Sequence, residues 1–105
     1  MTEKKKTENN GSDKGQFFVV ITEFKEIFAG WSTSDPKADI IVLNNARQVI
    51  YFSADTKGML GLAANGPGKD SRVSNECPQV IIRKPVNVLL GSSAAADRFS
   101  TFIWK

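Results

Sequence analysis

The sequence predicts a mainly β domain of the α+β kind: a small antiparallel barrel or curved sheet with one short inserted helix and a C-terminal helix. Three observations predict it. Runs of β-branched and aromatic residues recur along the chain, clusters of Gly, Pro, Asn and Asp separate them, and only two stretches carry helix signals. A chain of 105 residues holds one such domain.

Residues 1–15, MTEKKKTENNGSDKG, contain Met1 as their only apolar side chain, so they cannot bury enough surface to offset the entropy of ordering. They read as a disordered tail, and residues 16–105 as a single β-rich domain. From Gln16, QFFVVITEF places Phe17, Val19 and Ile21 on one face and Phe18 and Val20 on the other, which predicts a strand buried on both sides. KEIFAGWST follows after a polar break and completes a hairpin in which Ile27, Ala29 and Trp31 share a face, with Gly30 marking a bend. SDPKAD is a turn. Residues 40–43 and 47–53 then flank Asn44 and Asn45, residue types that tolerate a left-handed backbone, so a second hairpin is expected there. QVIIRK and VNVLL, split by Pro85, read as a final sheet pair.

Asp55 is the expected N-cap of a helix over residues 56–64, which Asn65, Gly66 and Pro67 would stop. Ser92 or Ser93 would cap a terminal helix whose Ala95, Phe99, Phe102 and Ile103 recur at helical spacing and face the sheet.

The stretch KGMLGLAANGPGKDSR, residues 57–72, has the look of a phosphate loop but not its pattern. Aligning Gly68-Lys69 with the end of a Walker motif puts Ala63 where the first glycine belongs and Asp70 where the magnesium hydroxyl belongs, and the glycines follow a helix instead of preceding one. Ending a helix and turning the chain accounts for Asn65 to Gly68. It leaves Gly58 and Gly61, each unfavourable by about 1 kcal/mol within a helix, without an explanation.

With no histidine, Ser-His-Asp and Cys-His nucleophile arrangements are excluded, and one cysteine allows no internal disulfide. Cys77 beside Pro78 reads as an inert small hydrophobe, and Asp13, Asp35 and Asp39 as solvated turn residues. No metal site, cofactor or catalytic residue is expected. No apolar run reaches membrane-spanning length and no signal peptide is evident, so a cytoplasmic protein without membrane contact is expected. The net charge of +3 is mild and forms no long basic stripe or recognition helix, which argues against duplex DNA. Lys57, Lys69, Arg72 and Arg47 gather near the glycine-rich stretch, where they could hold an anion, with Tyr51 or Trp31 stacking on a base.

The run NNARQVIYFSADTKGMLGLAANGPGKDSRVS resembles small uncharacterised proteins of tailed phages and prophages, which share its succession of Asn-Ala-Arg, an aromatic strand, Lys-Gly, Leu-Gly-Leu-Ala, Gly-Pro and Arg-Val. The likeness covers roughly residues 17–90. It implies a compact β-rich domain of phage origin, acting in the host cytoplasm. Small phage proteins of this kind often act against host defence, some as β-rich oligomers that sequester cyclic-nucleotide signals. The function expected is therefore non-catalytic: sequestering an anionic nucleotide-like ligand through Arg47, Tyr51, Lys57, Gly58, Gly61, Lys69 and Arg72, as a homo-oligomer. Two alternatives are a protein-interaction module that uses a sheet edge or an apolar helix face, and a single-strand nucleic-acid binder. A large apolar surface patch without a basic pocket would favour the first alternative.

Overall fold

The computed structural model describes residues 15–103. The tail expected over residues 1–15 therefore falls, but for Gly15, outside the described residues, as does Asp13.

Six antiparallel strands form one curled, open sheet: β1 (Gln16–Ile21), β2 (Ile27–Ser32), β3 (Ile40–Tyr51), β4 (Arg72–Val73), β5 (Cys77–Arg83) and β6 (Asn87–Leu90). The order is β4-β3-β2-β1-β6, with β5 paired to the first half of β3. Two helices complete the domain, α1 (Gly58–Asn65) and α2 (Ser93–Thr101). Of the two expected sheet forms, barrel and curved sheet, the curved one holds.

The alternation read from β1 organises the interior. Phe17, Val19 and Ile21 join Ile27, Ala29 and Val49 under Leu62 and Ala63 of α1 and Ala96 and Phe99 of α2. Phe18 and Val20 join Ile41, Leu43, Ala46 and Ile82 on the opposite face. Burying each large apolar side chain stabilises the fold by about 1.5–3 kcal/mol, so β1 anchors both layers. The second layer exists because the sheet curls over itself. Lys84 donates from its backbone to Asp39 beside β3 (2.8 Å), and Val86, two residues on, donates to Ile21 of β1 (2.8 Å). Two residues span only about 7 Å, so the β3–β5 arm lies close over β1.

β3 corrects the sequence reading. Asn44 and Asn45 do not form a hairpin; a single strand of 12 residues runs through them. A two-residue type I′ turn needs positive φ at both central residues, and of the pair only Asn45 has it, at 52°. The asparagines instead mark a corner where β3 leaves β2 for β5. Pro78, which has no N–H to give, fills the gap in the β3–β5 ladder between the pairs Asn44–Gln79 and Ala46–Cys77. A register shift between Ala29 and Trp31 brackets Gly30, the expected bend. The last two strands also differ from expectation, because β5 pairs with β3 and β6 with β1, not with each other.

The α1 boundary shifts as well. A 3₁₀ turn over Ala54–Thr56 precedes the helix, Lys57 stands at the N-cap with φ 68°, and no side chain caps it. Asp55 is drawn elsewhere. At the other end Gly66 donates to Leu62 O (2.9 Å), which is the predicted stop. In α2 the Ser92 hydroxyl accepts from Ala95 N (3.0 Å), as expected, and Ala95 and Phe99 are buried. Phe102 packs against the core just past the helix, whereas Ile103 is exposed.

Candidate functional site

The glycine-rich stretch folds into a loop that satisfies itself. Gly68 N–H donates to the Thr56 hydroxyl (2.8 Å), and Lys69 N–H to the Asp55 carboxylate (3.3 Å). The Ser53 hydroxyl donates to the same carboxylate, Ser53 N–H donates to the Ser71 hydroxyl (3.0 Å), and Arg98 Nε donates to the Pro67 carbonyl. Ser53, Thr56 and Ser71 are buried. Backbone amides that would cradle a phosphate thus already hold an internal carboxylate and a hydroxyl. The Ser53 hydroxyl holds the Asp55 carboxyl below its ordinary range against the opposing effect of desolvation, with lesser help from the Lys69 amide and the charge of Arg98.

The two unexplained glycines have local backbone causes. Gly58 carries φ +81°, a region that L-residues rarely adopt, and a Cβ there would meet open space. Gly61 packs its α-carbon side directly on the Thr56 carbonyl, leaving no room for a Cβ.

The expected ligand residues do not converge. Arg47 turns inward: Nη1 donates to the carbonyls of Phe99 and Phe102 (2.9 Å for the latter) and Nε to Ser74 O (2.8 Å). It clamps the C-terminal end of α2, where unpaired carbonyls and the helix dipole favour a cation. Burial lowers its pKa from the ordinary value, opposed by nearby Glu76. Beside it lies a cavity of about 100 Å³ lined by Phe17, Trp31, Asn45, Glu76 and Phe99 among others. Tyr51 and Arg72 do come together as a cross-strand pair, with the guanidinium 5.9 Å from the ring centroid and the tyrosine 52% exposed. Lys57 and Lys69 are exposed, and none of Tyr51, Lys57, Lys69 or Arg72 lines a described cavity.

What the sequence reading missed lies on the other side of α1. A groove of about 480 Å³ runs between α1 and β6, lined by Leu60, Ala63, Ala64 and residues 88–92, none of them charged. Leu60 is 73% and Leu90 58% exposed. Among the described residues β6 pairs only with β1, so it is an edge strand. Gly91 N–H donates to Phe17 O (2.7 Å), and the register places Leu89 opposite Val19. Antiparallel alternation then turns the N–H and C=O groups of Val88 and Leu90 away from β1, toward the open edge. The β5 edge differs: the groove beside it carries Glu23, Glu26 and Arg83. Charges of this kind discourage pairing with another strand.

No helix among the described residues is long and apolar enough to cross a membrane, and no group of three metal-binding side chains occurs among them. A family model described as a domain of unknown function, DUF6948, matches residues 15–99. No curated protein and no solved structure matches the chain significantly.

Proposed function

We propose that this chain, which belongs to the DUF6948 family of domains of unknown function, is a non-catalytic protein-interaction module that takes an extended strand onto its β6 edge. One observation carries the reading: outward backbone groups at Val88 and Leu90 lie beside an uncharged apolar groove walled by α1. Strand addition of this kind draws affinity from main-chain hydrogen bonds and selectivity from a groove that accepts alternate side chains. Of the residues expected to hold an anion, Lys57, Lys69 and Arg72 line none of the described cavities and Arg47 is turned into the fold, which favours an interaction module over a nucleotide pocket. The family's description names no activity, ligand or source, so the phage-type anti-defence role rests on the sequence resemblance alone.

The test is selection from a displayed library of random peptides on the immobilised chain. Sequences with alternating apolar residues should be enriched and should lose binding to the Leu90→Pro variant, which lacks an outward N–H. Enrichment of nothing, or equal binding to that variant, would sink the reading.

A second reading keeps the anionic ligand, and the Tyr51–Arg72 pair favours it, since a half-exposed ring beside a guanidinium can stack a base and face a phosphate. Titration calorimetry with mono-, cyclic and oligonucleotides should then give heat that Arg72→Ala abolishes. Silence across the panel would remove it.

A further inference from the structure

Resting on the reading that the β6 edge accepts a strand, we infer that the strand is the free amino-terminal end of a partner chain, bound antiparallel and halted against the last turn of α1.

The edge is open at two outward positions and closed at the third. Val88 and Leu90 turn their N–H and C=O groups outward, and because Gly91 N–H points inward to Phe17, the next outward amide is that of Ser92. That amide donates to the Ala63 carbonyl of α1 (3.0 Å), and the Ser92 hydroxyl donates to the Ala64 carbonyl. The sequence supplies this junction. Pro67 has no N–H with which to satisfy the Ala63 carbonyl in a helical bond, so that acceptor is left for Ser92. The helix backbone thus stands where a guest strand would place its own carbonyl. Outward positions are about 7 Å apart along a strand, so a guest residue facing Leu90 has room for at most one residue between itself and α1. Among the described residues no other hydrogen bond joins α1 to β6 or its flanks, so the backbone barrier stands at one end of the groove.

The barrier also distinguishes the two ends of a guest. An antiparallel guest brings its amino end to Ser92, and a parallel guest its carboxyl end. What meets it there is the carboxyl end of α1, where the Ala63 and Ala64 carbonyls each keep a second lone pair and the helix dipole is negative. An ammonium group is favoured at that place and a carboxylate is repelled. The nearby positive features face elsewhere: Arg98 is fastened to the Pro67 carbonyl, and Ser93 at the start of α2 lines the cavity beside Phe17 and Trp31. A strand from the middle of a chain carries further residues into the helix and brings no ammonium. The register adds a side-chain rule. Leu89 lies opposite Val19 on the α1 face, so the guest's first and third residues, opposite Gly91 and Leu89, turn toward Leu60 and Ala63 and should be apolar.

Two formats of one displayed library test this on the immobilised full chain: random peptides tethered by their carboxyl ends, and the same peptides tethered by their amino ends. Enrichment should occur only when the amino ends are free. A selected peptide made by synthesis should lose binding when residues are added before its amino end and keep it when they follow its carboxyl end. Acetylating the amino end should weaken it by about threefold. Ala64→Glu, an exposed position at the barrier, should tighten the free-amino peptide by a similar factor and leave the acetylated one unchanged, a difference that misfolding would not produce. Equal enrichment in both formats, or binding that survives extension of the amino end, overturns the inference. Enrichment confined to free carboxyl ends also overturns it, because the guest is then parallel. In each of these cases, loss of binding to Leu90→Pro leaves the strand-accepting function standing. If neither format enriches anything, both fall.

Discussion

The two flanks of α1 treat their backbone groups in opposite ways. On the loop side, over residues 66–71, amides, hydroxyls and a carboxylate are paired with one another, and Arg98 is fastened to the Pro67 carbonyl. On the β6 side, the outward groups of Val88 and Leu90 have no strand beside them among the described residues, and the neighbouring side chains are apolar. Composition alone points to the wrong flank. Glycine and lysine draw attention to the loop, but free capacity to bind is set by which donors and acceptors the fold leaves unused.

The largest effect is expected at Arg47, a cation that composition also assigns to the loop but that the fold turns inward. Arg47→Leu removes donors to the Phe99, Phe102 and Ser74 carbonyls and should lower stability by about 2–4 kcal/mol in urea unfolding. A ligand-binding arginine would leave stability nearly unchanged. Gly61→Ala should cost about 1–3 kcal/mol despite the better helix propensity of alanine, because its Cβ overlaps the Thr56 carbonyl. If this variant is stabilised, the glycine is not there for packing. Thr56→Val leaves the buried Gly68 amide without its acceptor and should cost about 1–2 kcal/mol by the same assay.

Acid titration sharpens the contrast further. The folded pKa of Asp55 is depressed, so its contribution is complete above the ordinary carboxylate value of about 3.9 and is lost as pH falls through the lower folded value. Asp55→Asn should flatten that acid limb of the stability curve. An unchanged limb would show that the carboxylate does not organise the loop. The smallest effect belongs to Lys69→Ala, which exposes nothing and breaks no side-chain bond, and its stability should stay within about 0.5 kcal/mol of wild type.

Much of the fold was legible from local pattern. The two-sided burial of β1, the β1–β2 hairpin, the stop at Gly66 and the Ser92 cap all follow from period-two alternation, turn chemistry or capping, which act over a few residues. The misread elements depend on distant partners. Asn44 and Asn45 resemble a hairpin turn until β5 pairs along the edge of β3 opposite β2 and holds the strand continuous. Asp55 looks like an N-cap until the loop returns the Lys69 amide to it from 14 residues away. Arg47 looked like a free cation for the same reason, since its partners lie 27 to 55 residues distant. The β6 groove was the least visible. Its signal, a short branched strand after Pro85, is also what an interior strand would show, and only the pairing of β5 with β3 leaves that edge open.

Residue-resolved amide hydrogen exchange, without and with a peptide selected from the displayed library, tests the contrast most directly. Gly68 and Lys69 should be protected in both states, because their acceptors lie within the chain, whereas Val88 and Leu90 should exchange freely in the chain alone and become protected when the peptide is bound. Free exchange at Gly68 and Lys69, or protection of Val88 and Leu90 that is the same with and without the peptide, would contradict the assignment of a closed loop and an open edge.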